Sequence, residues 1–112
     1  MKLLRVLVSG LVVLTLATPA RAAAPPIGAW VSARGAQLVV SDHAACAYVV
    51  ATARAEGECI WRPTETGGIL EIQYQGTTPT GVPGLRVLYL DIIWINQVTI
   101  TVTGEPFRRT AW

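Results

Sequence analysis

The chain is poor in the residues that carry most enzyme chemistry. It has one histidine, His43, two cysteines, Cys46 and Cys59, and no phosphate-cradling glycine loop, dinucleotide fingerprint or Gly-x-Ser-x-Gly elbow. A metal centre would need further thiols or imidazoles near these groups, and a redox pair usually shows a C-x-x-C spacing. Ser32, Ser41, Asp42 and His43 are the right types for nucleophilic catalysis, but consecutive residues on a turn do not align into a hydrogen-bonded relay, so His43 reads as a surface loop residue. No cofactor is expected. Among the acids, Glu56, Glu58, Glu65, Glu71 and Glu105 show no pairing pattern, and Asp91 alone sits within an apolar run.

No apolar run reaches the roughly 20 residues that span a bilayer. The longest, residues 6–17, follows Lys2 and Arg5 and precedes a block of small residues, which is the order of a secretory signal. Cleavage after Ala24 would place Pro25 behind the scissile bond, so the expected cut follows Ala22. Residues 1–22 are then a removed signal peptide, and residues 23–112 form one domain without an integral membrane segment. Export implies a periplasmic or secreted protein, and an oxidising compartment in which Cys46 and Cys59 pair as a structural disulfide.

Cleavage changes the charge. The whole chain is +2, but Lys2, Arg5 and Arg21 leave with the signal while every acid stays, so six arginines face seven acids and the domain carries −1. The arginines are dispersed and only Arg108 and Arg109 adjoin, which argues against nucleic acid as a partner.

Short apolar segments punctuated by glycine and proline then predict an all-β domain. Strands are expected at 27–32, 36–41, 58–62, 69–75, 85–93 and 98–103. Segment 46–53 also reads as a strand, although the alanines over 44–55 keep a helix open. Leu70, Ile72 and Tyr74 alternate with Glu71, Gln73 and Gln75, as in a sheet with one wet face. The near-continuous run 85–93 predicts burial on both faces. Glu56, Gly57 and Glu58 read as a hairpin tip, and 76–84 as a nine-residue recognition loop. The expected architecture is a small antiparallel barrel or sandwich of six to seven short strands with one disulfide. A five-stranded oligonucleotide/oligosaccharide-binding-type barrel is the alternative.

Gly28-Ala29-Trp30 on the opening strand and Phe107-Arg108-Arg109 on the closing strand resemble the calycins, the lipocalin-like barrels. There a Gly-x-Trp is covered by an arginine from the last strand, a guanidinium stacked on an indole. The resemblance implies a barrel closed by Gly28, Trp30 and one of Arg108 or Arg109. Ninety residues leave little room for the enclosed cup of a full lipocalin, because a small barrel fills itself with side chains.

Of four tryptophans, Trp94 at an expected turn and Trp112 at the terminus point to a contact surface, together with Thr78, Pro79, Val82 and Pro83 of the 76–84 loop. The expected function is an exported, non-enzymatic binding domain for a protein or a small apolar ligand, with a homodimer through sheet edges as a further expectation. The alternatives are an envelope enzyme or enzyme inhibitor acting through Asp91 or a glutamate, and a structural subunit of an envelope complex.

Overall fold

The computed structural model describes residues 22–112. The signal expected over residues 1–22 lies, save for Ala22, outside them. Eight strands follow one another: β1 Gly28–Ser32, β2 Gln37–Val40, β3 Ala45–Val50, β4 Ala53–Pro63, β5 Gly67–Thr77, β6 Pro83–Asn96, β7 Thr99–Val102 and β8 Glu105–Ala111. Each pairs antiparallel with the next, and β8 returns to β1 to close the barrel. The all-β class is as the sequence predicts, but the strands number eight, and a closed barrel replaces the sandwich and five-stranded alternatives.

Alternation sets the inside. Trp30, Leu38, Val40, Leu70, Ile72, Leu90, Ile92, Ile100, Val102 and Phe107 are all buried and fill the interior. Cys46 on β3 and Cys59 on β4 join this core as the expected disulfide, with Cα atoms 5.8 Å apart.

The strand read over 46–53 is present as β3 and the start of β4, and three other expectations along the chain are corrected. Residues 44–55 hold no helix; they are β3, the turn at Ala51 and Thr52, and the start of β4, with Cys46 and Ala55 buried and Tyr48 packed against the core. Glu56, Gly57 and Glu58 lie inside β4 rather than at a tip. Glycine is needed there because β4 runs so close to β5 that a Cβ at residue 57 would strike the Gln73 carbonyl.

The recognition loop contracts to residues 78–82. Pairing continues through Gly76↔Gly84 and Thr77↔Pro83, and Thr78 closes the turn by accepting from Val82 N at its hydroxyl (3.1 Å) while its own N–H donates to the Val82 carbonyl (2.9 Å). Finally, β6 is buried on one face only. Leu90 and Ile92 point in, whereas Leu85, Val87, Tyr89 and Ile93 are exposed. The run 85–93 lacks polar alternation because its outer face is itself apolar.

Candidate functional site

One end of the barrel is shut by residues 23–27, just after the expected cleavage point. Three indole N–H groups from three strands donate to its carbonyls: Trp61 to Ala23 (3.0 Å), Trp94 to Ala24 (2.8 Å) and Trp30 to Pro26 (3.0 Å). Arg109 adds a fourth, from Nη1 to the Ile27 carbonyl at 2.6 Å, and its Nε donates to the Gln97 carbonyl at 2.9 Å. Within the segment only the Pro25 carbonyl finds a donor, the Ile27 N–H at 2.8 Å, and the floor of the barrel supplies the donors for the other four.

Arg109 also carries the aromatic packing of this end. Its guanidinium carbon lies 4.2 Å from the Trp30 ring centre on one side and 3.8 Å from that of Trp112 on the other, while Trp94 meets Trp30 edge-on at 5.6 Å. Burial pulls the Arg109 pKa down, and the carbonyls and ring faces replace the water it gives up. Arg108 points out to solvent. Gly28 has φ +130°, and a Cβ there would come within 2.6 Å of both the Ala111 carbonyl and Arg109 Nη1, so glycine lets β8 close over β1.

Two of the residues read as contact surface therefore have roles within the domain. Trp94 lies within β6 rather than at a turn, and it packs against the core and holds Ala24. Trp112 is 76% exposed but folds back onto Arg109. If the indole donors fix the floor, Trp61→Phe is expected to destabilise the mature chain by about 1 kcal/mol, the net worth of one hydrogen bond. Urea unfolding measures it, and hydrogen exchange should show the loosening confined to residues 23–27.

The opposite end is open. There β4, β5 and β6 run past the shorter strands, and Tyr48, Val50, Ala53, Arg54, Ala55, Tyr74 and Leu88 line an apolar cleft of about 270 Å³. Burial, the leading cause, raises the Tyr48 phenol above its ordinary 10.0. Beside the cleft, Arg34 from the β1–β2 turn grips Glu105 at the start of β8 with Nε–Oε2 and Nη2–Oε1 distances of 3.0 and 3.3 Å. That hydrogen bond is the main reason the Glu105 carboxyl is held below its ordinary 4.5.

A lowered folded-state pKa stabilises above the unfolded value and is lost as pH falls through the folded one. The small stability difference between the native chain and Glu105→Gln should therefore be present at neutral pH and shrink as the pH falls below the ordinary glutamate value. Arg34 is solvent-exposed and Glu105 half-buried, so screening keeps the effect modest, and thermal melts at neutral and at acid pH will read it.

The β5–β6 hairpin projects at this open end. Thr78, Pro79, Val82 and Pro83 are exposed at its tip, and six of the eleven exposed large hydrophobic residues among the described residues lie on the tip and β6: Val82, Leu85, Val87, Tyr89, Ile93 and Ile95. Asp91 is exposed on the same outer face. Glu71, opposite Tyr89, is buried against Arg62 (3.2 Å) and Gln73 (3.2 Å).

The hydrogen-bonding direction along β6 follows from two bonds. Trp94 N–H donates to the Thr66 carbonyl on the β5 side, whereas Asp91 gives its carbonyl to Thr103 N–H (2.7 Å) and its N–H to the Thr103 hydroxyl (3.3 Å) on the β7 side. Even-numbered residues thus bond towards β5 and odd-numbered ones away from it. Pairing with β7 begins only at Ile92↔Val102. Among the described residues, the N–H and C=O groups of Leu85, Val87 and Tyr89 consequently face no strand. Sequence reasoning missed this edge; the unequal lengths of the expected strands, nine residues against six, were its only trace.

Taken together, the fold and its ends define a closed eight-stranded antiparallel β-barrel with a filled interior, a strapped floor and one long open strand. No protein-family model matches the chain, and neither a curated protein nor a solved structure is significantly similar to it.

Proposed function

We propose that the mature chain is an exported, lipocalin-like, non-enzymatic binding domain that engages a protein through the β5–β6 hairpin. The lipocalin likeness is supported by Arg109 over Trp30 beside Gly28, and export by the charge and apolar pattern of residues 1–22 together with the Cys46–Cys59 disulfide. The observation that carries the binding reading is the concentration of exposed apolar side chains on one projecting hairpin. Because the barrel interior is filled, contact happens on the outside. The apolar inside also reverses the pattern of a lipid-facing barrel, whose lumen is polar.

Site-specific photocrosslinking in the cells that make the protein tests this reading. A photoreactive side chain at Val82 or Leu85 should give discrete protein adducts, and the same group at exposed Val39 on β2, across the barrel from β6, should not. Equal labelling from both faces, or none from the hairpin, would overturn the proposal. A small apolar ligand in the cleft beside Tyr48 and Tyr74 is the second reading, favoured by that cleft's apolar lining. It predicts saturable binding of an apolar fluorescent probe that Leu88→Glu abolishes.

A further inference from the structure

We propose that the partner of the hairpin is a second copy of this chain, paired antiparallel along the open edge of β6 about a two-fold axis at Val87. The inference deepens the protein-binding reading above and rests on it.

Three residues, Leu85, Val87 and Tyr89, present their backbone groups outward along the strand, and the stretch is bounded on both sides. Pro83 has no N–H to offer, and both backbone groups of Asp91 are already taken by Thr103. An odd number of bonding residues with Val87 at the centre is self-complementary. Val87 meets Val87 of the other copy as a hydrogen-bonded pair, and Leu85 meets Tyr89 on either side. Every outward N–H and C=O is then used at once.

Side chains agree with this register. Leu85, Val87 and Tyr89 are 64%, 41% and 62% exposed, and the pairing places aliphatic against aromatic and valine against valine. The only charge between residues 83 and 90 is Arg86, whose Nη1 donates to the Thr77 carbonyl of its own hairpin, and its cross-strand neighbour would be Leu88. No like charges are brought face to face, and the stretch from 83 to 90 lacks the lysine or bulge that commonly blocks an exposed edge, the irregularity of β6 lying at Trp94 to Asn96 where it pairs with β7. The contact is a narrow one, so the dimer is expected to be a transient one.

Register-specific cysteine crosslinking of the purified mature protein is the test. The two native cysteines are already paired, and a hydrogen-bonded antiparallel pair has Cα atoms about 5.5 Å apart, within the reach of a disulfide. Val87→Cys should crosslink under mild oxidation at least about tenfold faster than Leu85→Cys, Tyr89→Cys or the remote Val39→Cys alone, and mixing Leu85→Cys with Tyr89→Cys should restore the rate. Sedimentation up to about 1 mM should show reversible dimerisation. Val87→Pro should abolish it with an unchanged urea midpoint, since that N–H serves no bond within the chain. Val87→Lys, which sets two ammonium groups opposite each other, gives a second variant should the proline variant not fold.

A protein that stays monomeric throughout, or Val87→Cys crosslinking no faster than Val39→Cys, overturns the proposal. Hairpin photoadducts in cells whose mass is that of a different protein would overturn it while leaving the binding reading intact. The absence of hairpin adducts removes that reading itself.

Discussion

Arg109→Ala is expected to destabilise the barrel by about 2–3 kcal/mol. The side chain makes two charge-assisted hydrogen bonds, to Ile27 and Gln97, and lies between the rings of Trp30 and Trp112. Such bonds contribute about 1.5–3 kcal/mol each and a partly exposed cation–π contact about 0.5–1. Because the group is only partly buried, water screens these contacts and replaces part of them in the variant, so the expected loss falls below the sum of even the lower values. For a domain of this size, whose total stability is about 5–13 kcal/mol, that is a large fraction.

Arg109→Lys should recover less than half of the loss, since an ammonium cannot reach two carbonyls while lying flat between two indoles. Exposed Arg108→Ala should change stability by no more than about 0.5 kcal/mol. Urea unfolding of the three variants decides whether the second arginine of the pair holds the floor.

The second large effect concerns the disulfide. Cys46 and Cys59 lie 13 residues apart on neighbouring strands, with Cys46 opposite Gly57 and the Cys59 N–H bonded to the Ala44 carbonyl. Constraining a loop of this length stabilises by about 3 kcal/mol on the chain-entropy estimate. Replacing both cysteines with alanine removes that constraint and part of the buried packing. A fall of about 3 kcal/mol should lower the melting temperature by on the order of 15 °C in a domain this small. The double variant should still fold at room temperature, because the barrel is closed by β1 and β8 on the side away from the disulfide. Differential scanning calorimetry of both forms measures the shift.

Much of this architecture is legible in the chain, and the limits are physical. The strand around Ile100–Val102 shows clear alternation because one face is buried and the other partly exposed, whereas in the strand around Leu70–Ile72 the expected wet face fails at Glu71, which Arg62 and Gln73 cover. The floor is legible through Gly28, Trp30 and the Arg108-Arg109 pair, but not which arginine lies inside, since that depends on the register of β8 against β1 and on the bulge between Ala29 and Trp30. The outward turn of β6 is hidden for a different reason. An apolar residue facing solvent or a partner has the same spelling as one facing a core, so Leu85, Val87 and Tyr89 read as buried. Trp94 is misread in the opposite sense, because its carbonyl partner is the segment containing Ala24, seventy residues away. Local pattern carries no information about so distant a contact.

The open backbone edge of β6 between Leu85 and Tyr89, at which another strand binds, is the feature on which the proposed contact depends. Amide hydrogen exchange resolved residue by residue, on the mature protein at low and at high concentration, tests it most directly. At low concentration the amides of Leu85, Val87 and Tyr89 should exchange rapidly while those of Arg86 and Leu88, bonded to β5, stay protected. At high concentration the three odd-numbered amides should become protected with no change at Arg86 and Leu88. Uniform protection from 85 to 89 at low concentration, or an alternation that concentration leaves untouched, would contradict it.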